Sequence, residues 1–116
     1  MESYCLNEAN YEDLISKTDS PILIECWSNW CGPCKMQLPI VEALASEFRN
    51  ELVVAKLNVV ENPELTSRLF VMHLPTLIVM KSGKEVGRKT GLMPILKLKE
   101  TLTSFGLKNM GENTLV

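Results

Sequence analysis

The sequence predicts an α/β domain: a central mixed five-stranded sheet flanked by four helices. Three observations carry this. Short apolar, β-branched runs alternate with helical stripes as far as Leu69. Two further strands then flank the turn Lys81-Ser82-Gly83-Lys84, a hairpin signal. A last amphipathic stretch closes the chain. Alternation followed by a hairpin implies a mixed sheet with helices on both faces.

The elements follow in order. Residues around Tyr4 form a short first strand, and Tyr11, Leu14 and Ile15 give a short helical stripe. Pro21 marks a break. Ile22 to Ser28 is apolar on both faces and reads as a strand buried from both sides. From Pro33 to Arg49, the residues Val41, Leu44, Ala45 and Phe48 share one helical face, with Glu42, Glu47 and Arg49 largely opposite. Pro39 lies inside this helix and is expected to kink it. Leu52 to Val59 is the next strand. Asn62-Pro63 then reads as an N-cap followed by proline at the first helical position, with Leu65 and Leu69 inward. Thr76 to Met80 and Glu85 to Thr90 form the hairpin strands. Met93-Pro94 opens a final helix with Ile95, Leu98, Leu102 and Phe105 on one face. Residues 106–116 hold two glycines and little periodicity and read as a mobile tail. The expected division is a domain at 1–107 and a flexible C-terminal tail at 108–116.

Length and composition set the outer limits. One domain fits 116 residues, and 46% apolar with 22% charged residues argues against disorder. A net charge of −2 speaks against a nucleic-acid footprint. Every apolar run falls short of the roughly 18 residues that span a bilayer. Met1-Glu2-Ser3-Tyr4 carries no basic patch and leads into no apolar segment, so no export signal is visible and a cytoplasmic setting is expected.

The cysteines are Cys5, Cys26, Cys31 and Cys34. In a reducing compartment a closely spaced pair reads as redox chemistry or metal before scaffold. A structural zinc site takes four ligands, typically as two spaced pairs. Only one pair is present, with Cys5, Cys26 and His73 scattered, so no metal site is expected. Trp30-Cys31-Gly32-Pro33-Cys34-Lys35 lies between a buried strand and a helix start. Unpaired backbone N–H groups and the helix dipole favour negative charge there. Cys31 sits at the very start and is expected to be the nucleophile, with Cys34 the resolving thiol. Gly32 lets a partner backbone approach, and Pro33 suits the first helical position.

Trp27-Ser28-Asn29-Trp30-Cys31-Gly32-Pro33-Cys34-Lys35-Met36 resembles the active-site segment of the thioredoxin family. Pro39, Ala55 to Val59, Glu61-Asn62-Pro63, Leu74-Pro75-Thr76, Gly83 and Gly91 fall where that family carries related features, so the resemblance covers about residues 3–107. It implies a thioredoxin fold and a protein disulfide reductase. Cys31 would attack a client disulfide, Cys34 would resolve it, and a thioredoxin reductase would reduce the resulting Cys31–Cys34 disulfide. No bound cofactor is implied; NADPH and flavin belong to the reductase partner. The expected partners are that reductase and disulfide-containing client proteins, with no nucleic acid and no membrane, and the chain is expected to be a monomer. A glutathione-linked or oxidising member of the same fold, and a binding module independent of redox chemistry, are the competing readings.

Other residues tune this expectation. Glu25 lies within an apolar strand, where a carboxylate is costly unless neutral or paired. Lys56 is set likewise in the next strand. If the strands adjoin, burial raises the Glu25 pKa and Lys56 opposes the rise. The family has an aspartate here as proton acceptor for the resolving cysteine; this chain is longer by one methylene. The resemblance also implies a cis Leu74–Pro75 peptide and a flat, mostly apolar docking face of Trp30, Gly32, Pro33, His73, Leu74, Pro75 and Gly91. His73 is expected near the cysteines. Cys26 should point opposite Glu25 as a packed thiol, and Cys5 is expected to be packed too. Trp27 is expected in the core or as a wall under the site, and Trp30 at the surface.

Overall fold

The computed structural model describes residues 3–108 and 110. These form β1 (Tyr4–Leu6), α1 (Tyr11–Lys17), β2 (Ile22–Trp27), α2 (Gly32–Glu47) and β3 (Val53–Asn58). Then come α3 (Pro63–Arg68), β4 (Thr76–Lys81), β5 (Lys84–Thr90) and α4 (Ile95–Ser104). The strands make one sheet in the order β1-β3-β2-β4-β5. β3 runs parallel to both β1 and β2, whereas β4 is antiparallel to β2 and to β5. The sheet is therefore mixed, with the hairpin at one edge. The hairpin is tighter than its sequence suggested: Lys81 pairs with Lys84, and only Ser82 and Gly83 turn, both at positive φ. Such a two-residue turn matches the twist of the strands it joins.

Side-chain alternation sorts the core into two layers. Leu23, Val54, Leu77 and Val79 pack with Val41 and Leu44 of α2 and Leu98 and Leu102 of α4. Ile22, Ile24, Cys26, Ala55, Leu57 and Ile78 pack with Tyr11 and Ile15 of α1 and Leu65 of α3. Glu25 shares the parity of Leu23 and so faces the α2 layer; Cys26 faces the other. α2 runs unbroken through Pro39, which is exposed.

Three local expectations change. Asn62 precedes α3, but its side chain makes no cap. Glu8 supplies the cap instead, its carboxylate accepting from Glu64 N at 2.8 Å and Leu65 N at 3.1 Å. An anion at a helix N-terminus satisfies orphan donors and complements the dipole. Asn62 Oδ1 in turn accepts from Glu8 N at 3.1 Å, which locks the two segments together. Cys5 is exposed rather than packed, because β1 is a three-residue edge strand in which only Leu6 is buried.

The segment read as a tail also differs. Gly106, at φ 97, turns the chain so that Gly106 N bonds Thr103 O and Leu107 N bonds Leu102 O. This is a Schellman ending of α4. It directs Leu107 and Met110 into the α2/α4 core layer, where they are 4% and 2% exposed. The remainder of the expected tail, 111–116, lies outside the described residues.

Candidate active site

β2 ends at Trp27, and α2 begins at Gly32, with Cys31 as its N-cap residue. Extended backbone at Cys31 (φ −98, ψ 105) points its Sγ back at the first helical turn. Cys34 N donates to Cys31 Sγ at 3.3 Å. Cys31 and Cys34 form a disulfide with Cα atoms 5.3 Å apart. Cys31 retains 8% exposure, while Cys34 is wholly buried. So the cysteine at the helix start keeps a slight exposure, and the other is enclosed.

Cys31, Trp30, Gly32 and Pro33 line a groove of about 590 Å³ with Val59, Thr66, Val71, Met72, His73 and Leu74. Trp30 is 75% exposed, and Trp27 is half-buried. The Leu74–Pro75 peptide is cis. Two residues expected on the docking face do not line this groove. Pro75 is buried, and its carbonyl accepts from the exposed Gly91 at 2.8 Å, bracing the wall from behind. Walls from the α3 end and the loop after it make a groove of what was expected to be a flat face. Val59, Thr66, Val71 and Met72 were not anticipated; Val59 was read as the last residue of a strand that ends at Asn58, Val71 and Met72 lie in a loop where periodicity has no reading, and Thr66 falls between the inward positions of α3.

Glu25 and Lys56 are register partners on β2 and β3. Glu25 is wholly buried, and neither carboxylate oxygen has a hydrogen-bond partner. Burial pushes its carboxyl up to about 8, with the Lys56 charge pulling down and Glu42 adding a smaller upward push. Lys56 Nζ makes an ion pair with Glu42 Oε2 of α2 at 3.1 Å. Glu42 was read from the helical pattern only as part of the outward face, yet it holds the lysine nearest the buried acid. Gln37, also unanticipated, is fully buried and clamps the start of α2 to the loop before α4. Its amide donates to Met93 O at 3.0 Å and accepts from Met93 N at 2.8 Å.

The other two cysteines differ from this pair. Burial pushes the Cys26 thiol up to about 12. Cys5 borders a separate cleft with Trp27, Lys56 and Asn58. Among the described residues no group of three or more His, Cys, Asp or Glu could hold a metal ion. No helix among them is long and apolar enough to cross a membrane.

Comparison with known proteins agrees with this geometry. The family model described as Thioredoxin matches residues 2–104. A thioredoxin of Alicyclobacillus acidocaldarius is 42% identical over 97 residues, covering 84% of this chain and 91% of the relative. One of Haemophilus influenzae is 37% identical over 93 residues, covering 80% and 87%. One of Porphyra purpurea is 33% identical over 100 residues, covering 86% and 94%.

Proposed function

Because this chain belongs to the thioredoxin family, and is therefore a dithiol/disulfide oxidoreductase, we propose that it reduces disulfides in client proteins. The observation that carries this reading is Cys31 capping α2, its sulfur accepting from Cys34 N and the residue lining the groove. A helix N-terminus favours the thiolate over the thiol.

In the reduced protein, the Cys31 thiolate attacks one sulfur of the client disulfide. A Cys31–client bond forms, the client S–S bond breaks, and its second sulfur leaves as a thiolate. The ionised form of Glu25 takes the Cys34 proton, and the Cys34 sulfur attacks the Cys31 sulfur. The Cys31–Cys34 bond forms, the mixed disulfide breaks, and the remaining client thiolate leaves. The client gains the electron pair that the two cysteines lose. An acid with a pKa near 8 exchanges protons close to neutral pH, which suits Glu25 to this step. Lys56, on the neighbouring strand, opposes the upward push of burial.

The client segment rests against Trp30, Gly32 and Pro33 on one side and His73 and Leu74 on the other, with Pro75 and Gly91 behind them. A flavin-containing thioredoxin reductase returns electrons from NADPH, so the chain needs no bound cofactor of its own. It works as a cytoplasmic monomer. Insulin reduction with NADPH and a cognate reductase tests the reading. Wild type should turn over and Cys31→Ser should not. No turnover by wild type with both cysteines reduced would overturn it.

A further inference from the structure

Two helices in this chain end in the same hydrogen-bond pattern, but with different residues at the turning position. After α4, Gly106 takes the left-handed conformation. After α3, Phe70 takes it, at φ 56. Phe70 N bonds Ser67 O at 3.0 Å and Val71 N bonds Thr66 O at 3.2 Å, a second Schellman ending. Glycine suits this position because a Cβ is disfavoured at positive φ. Phenylalanine gains nothing from packing in return, since Phe70 is 79% exposed. A strained, unburied aromatic side chain points to function rather than stability.

The surroundings hold this residue in place. Arg88 Nη1 donates to Phe70 O at 3.2 Å, and Nη2 to Leu69 O at 2.8 Å. Glu85 fixes the guanidinium, accepting from Nε at 2.6 Å and Nη2 at 2.7 Å. Leu69, Val71 and Leu74 pack against the core layer of α1 and α3. Between these anchors Met72 stands 84% exposed on the groove that holds Cys31. From Leu69 to Met80 the chain has no Asp, Glu, Lys or Arg. This strip reaches the Cys31 groove through Val71, Met72 and Leu74, and Arg88, the charged side chain hydrogen-bonded to its backbone, is already paired with Glu85.

We propose that Phe70 and Met72 form an apolar lip selecting client disulfides whose half-cystine has a large apolar neighbour. The proposal rests on the disulfide-reductase reading above. The occupant is an extended client segment, laid along the groove with its apolar side chain against the lip. Burial of that side chain speeds capture, whereas an acidic neighbour would have to compete with Glu85 for Arg88.

The test uses the full chain, reduced, and two disulfide-linked peptides identical except for Leu or Glu beside the half-cystine. The wild-type second-order rate constant should be about tenfold larger for the Leu peptide, equivalent to about 1.4 kcal/mol. A Phe70→Gly/Met72→Ser variant should lose most of that preference. Phe70→Gly alone should raise the urea midpoint, because glycine relieves the left-handed turn. Equal wild-type rates on both peptides would overturn this inference and leave the reductase reading standing. No reduction of either peptide would overturn both. A lower midpoint for Phe70→Gly would make Phe70 structural, and concentration-dependent dimers lost in that variant would give the lip to a second copy of the chain; either result overturns the inference.

Discussion

Glu25→Gln should flatten the pH dependence of folding stability between about pH 4.5 and pH 8. In the folded chain the carboxyl is fully buried, with no hydrogen bond to either oxygen, and holds its proton up to about 8. In the unfolded chain it ionises near its ordinary value of 4.5. Between these values the folded state binds the extra proton, so stability falls as pH rises. The stability associated with neutral Glu25 is fully present below 4.5 and is lost as pH passes about 8. At about 1.36 kcal/mol per pH unit, the loss is on the order of 4 kcal/mol.

Urea unfolding of the disulfide-closed protein, wild type against Glu25→Gln, reads this directly. Closing the disulfide keeps Cys31 and Cys34 from titrating, and Cys26 titrates well above the window. The buried Gln amide carries its own desolvation cost, but that cost does not vary with pH. The difference between the two curves therefore isolates the carboxyl. Wild type should lose roughly 4 kcal/mol relative to the variant across the window. Curves parallel within about 0.5 kcal/mol would refute the reasoning, since a Glu25 with matched folded and unfolded pKa values contributes no slope.

Three other perturbations test packing and capping. Gly87→Ala would put a Cβ 2.5 Å from the Phe105 ring, so urea unfolding should show a loss of about 1–3 kcal/mol as the ring is displaced. Glu8→Ala removes the carboxylate that caps α3 and should cost about 1 kcal/mol, with amide exchange fastest at Glu64 and Leu65. Met110→Ala should cost about 2–5 kcal/mol in the same assay, because the side chain is 2% exposed within the α2/α4 layer.

What the sequence disclosed follows the range of each interaction. Strand runs, helical stripes and the Cys31–Cys34 spacing at a helix start are local, and the folded chain retains them. Long-range partners left no local trace. Glu8 caps a helix 56 residues away, and Gln37 bonds a backbone equally distant. Cys5 was expected to be packed because it lies in the first strand, but the strand order puts β1 at the sheet edge. Met110 is buried because Gly106 turns the chain back, and a lone glycine after a helix does not say where the chain goes next. Phe70 hid for the opposite reason: its sequence gives no sign of a conformation that favours glycine.

Register explains why neighbouring residues have such different chemistry. β2 pairs in parallel with β3, so that Glu25 meets Lys56 and Cys26 meets Leu57. A slip of one residue would turn Glu25 into the all-apolar layer of α1 and α3 and bring Cys26 toward α2. Burial raises both groups, but from different starting points: the carboxyl from 4.5 to about 8, the thiol from 9.0 to about 12. One physical cause therefore brings the acid close to neutrality and silences the thiol. The strand thus separates its two titratable groups by face and by pH. Of the two, the group facing α2, the helix that carries Cys31 and Cys34, is the one whose pKa lies nearer neutral pH.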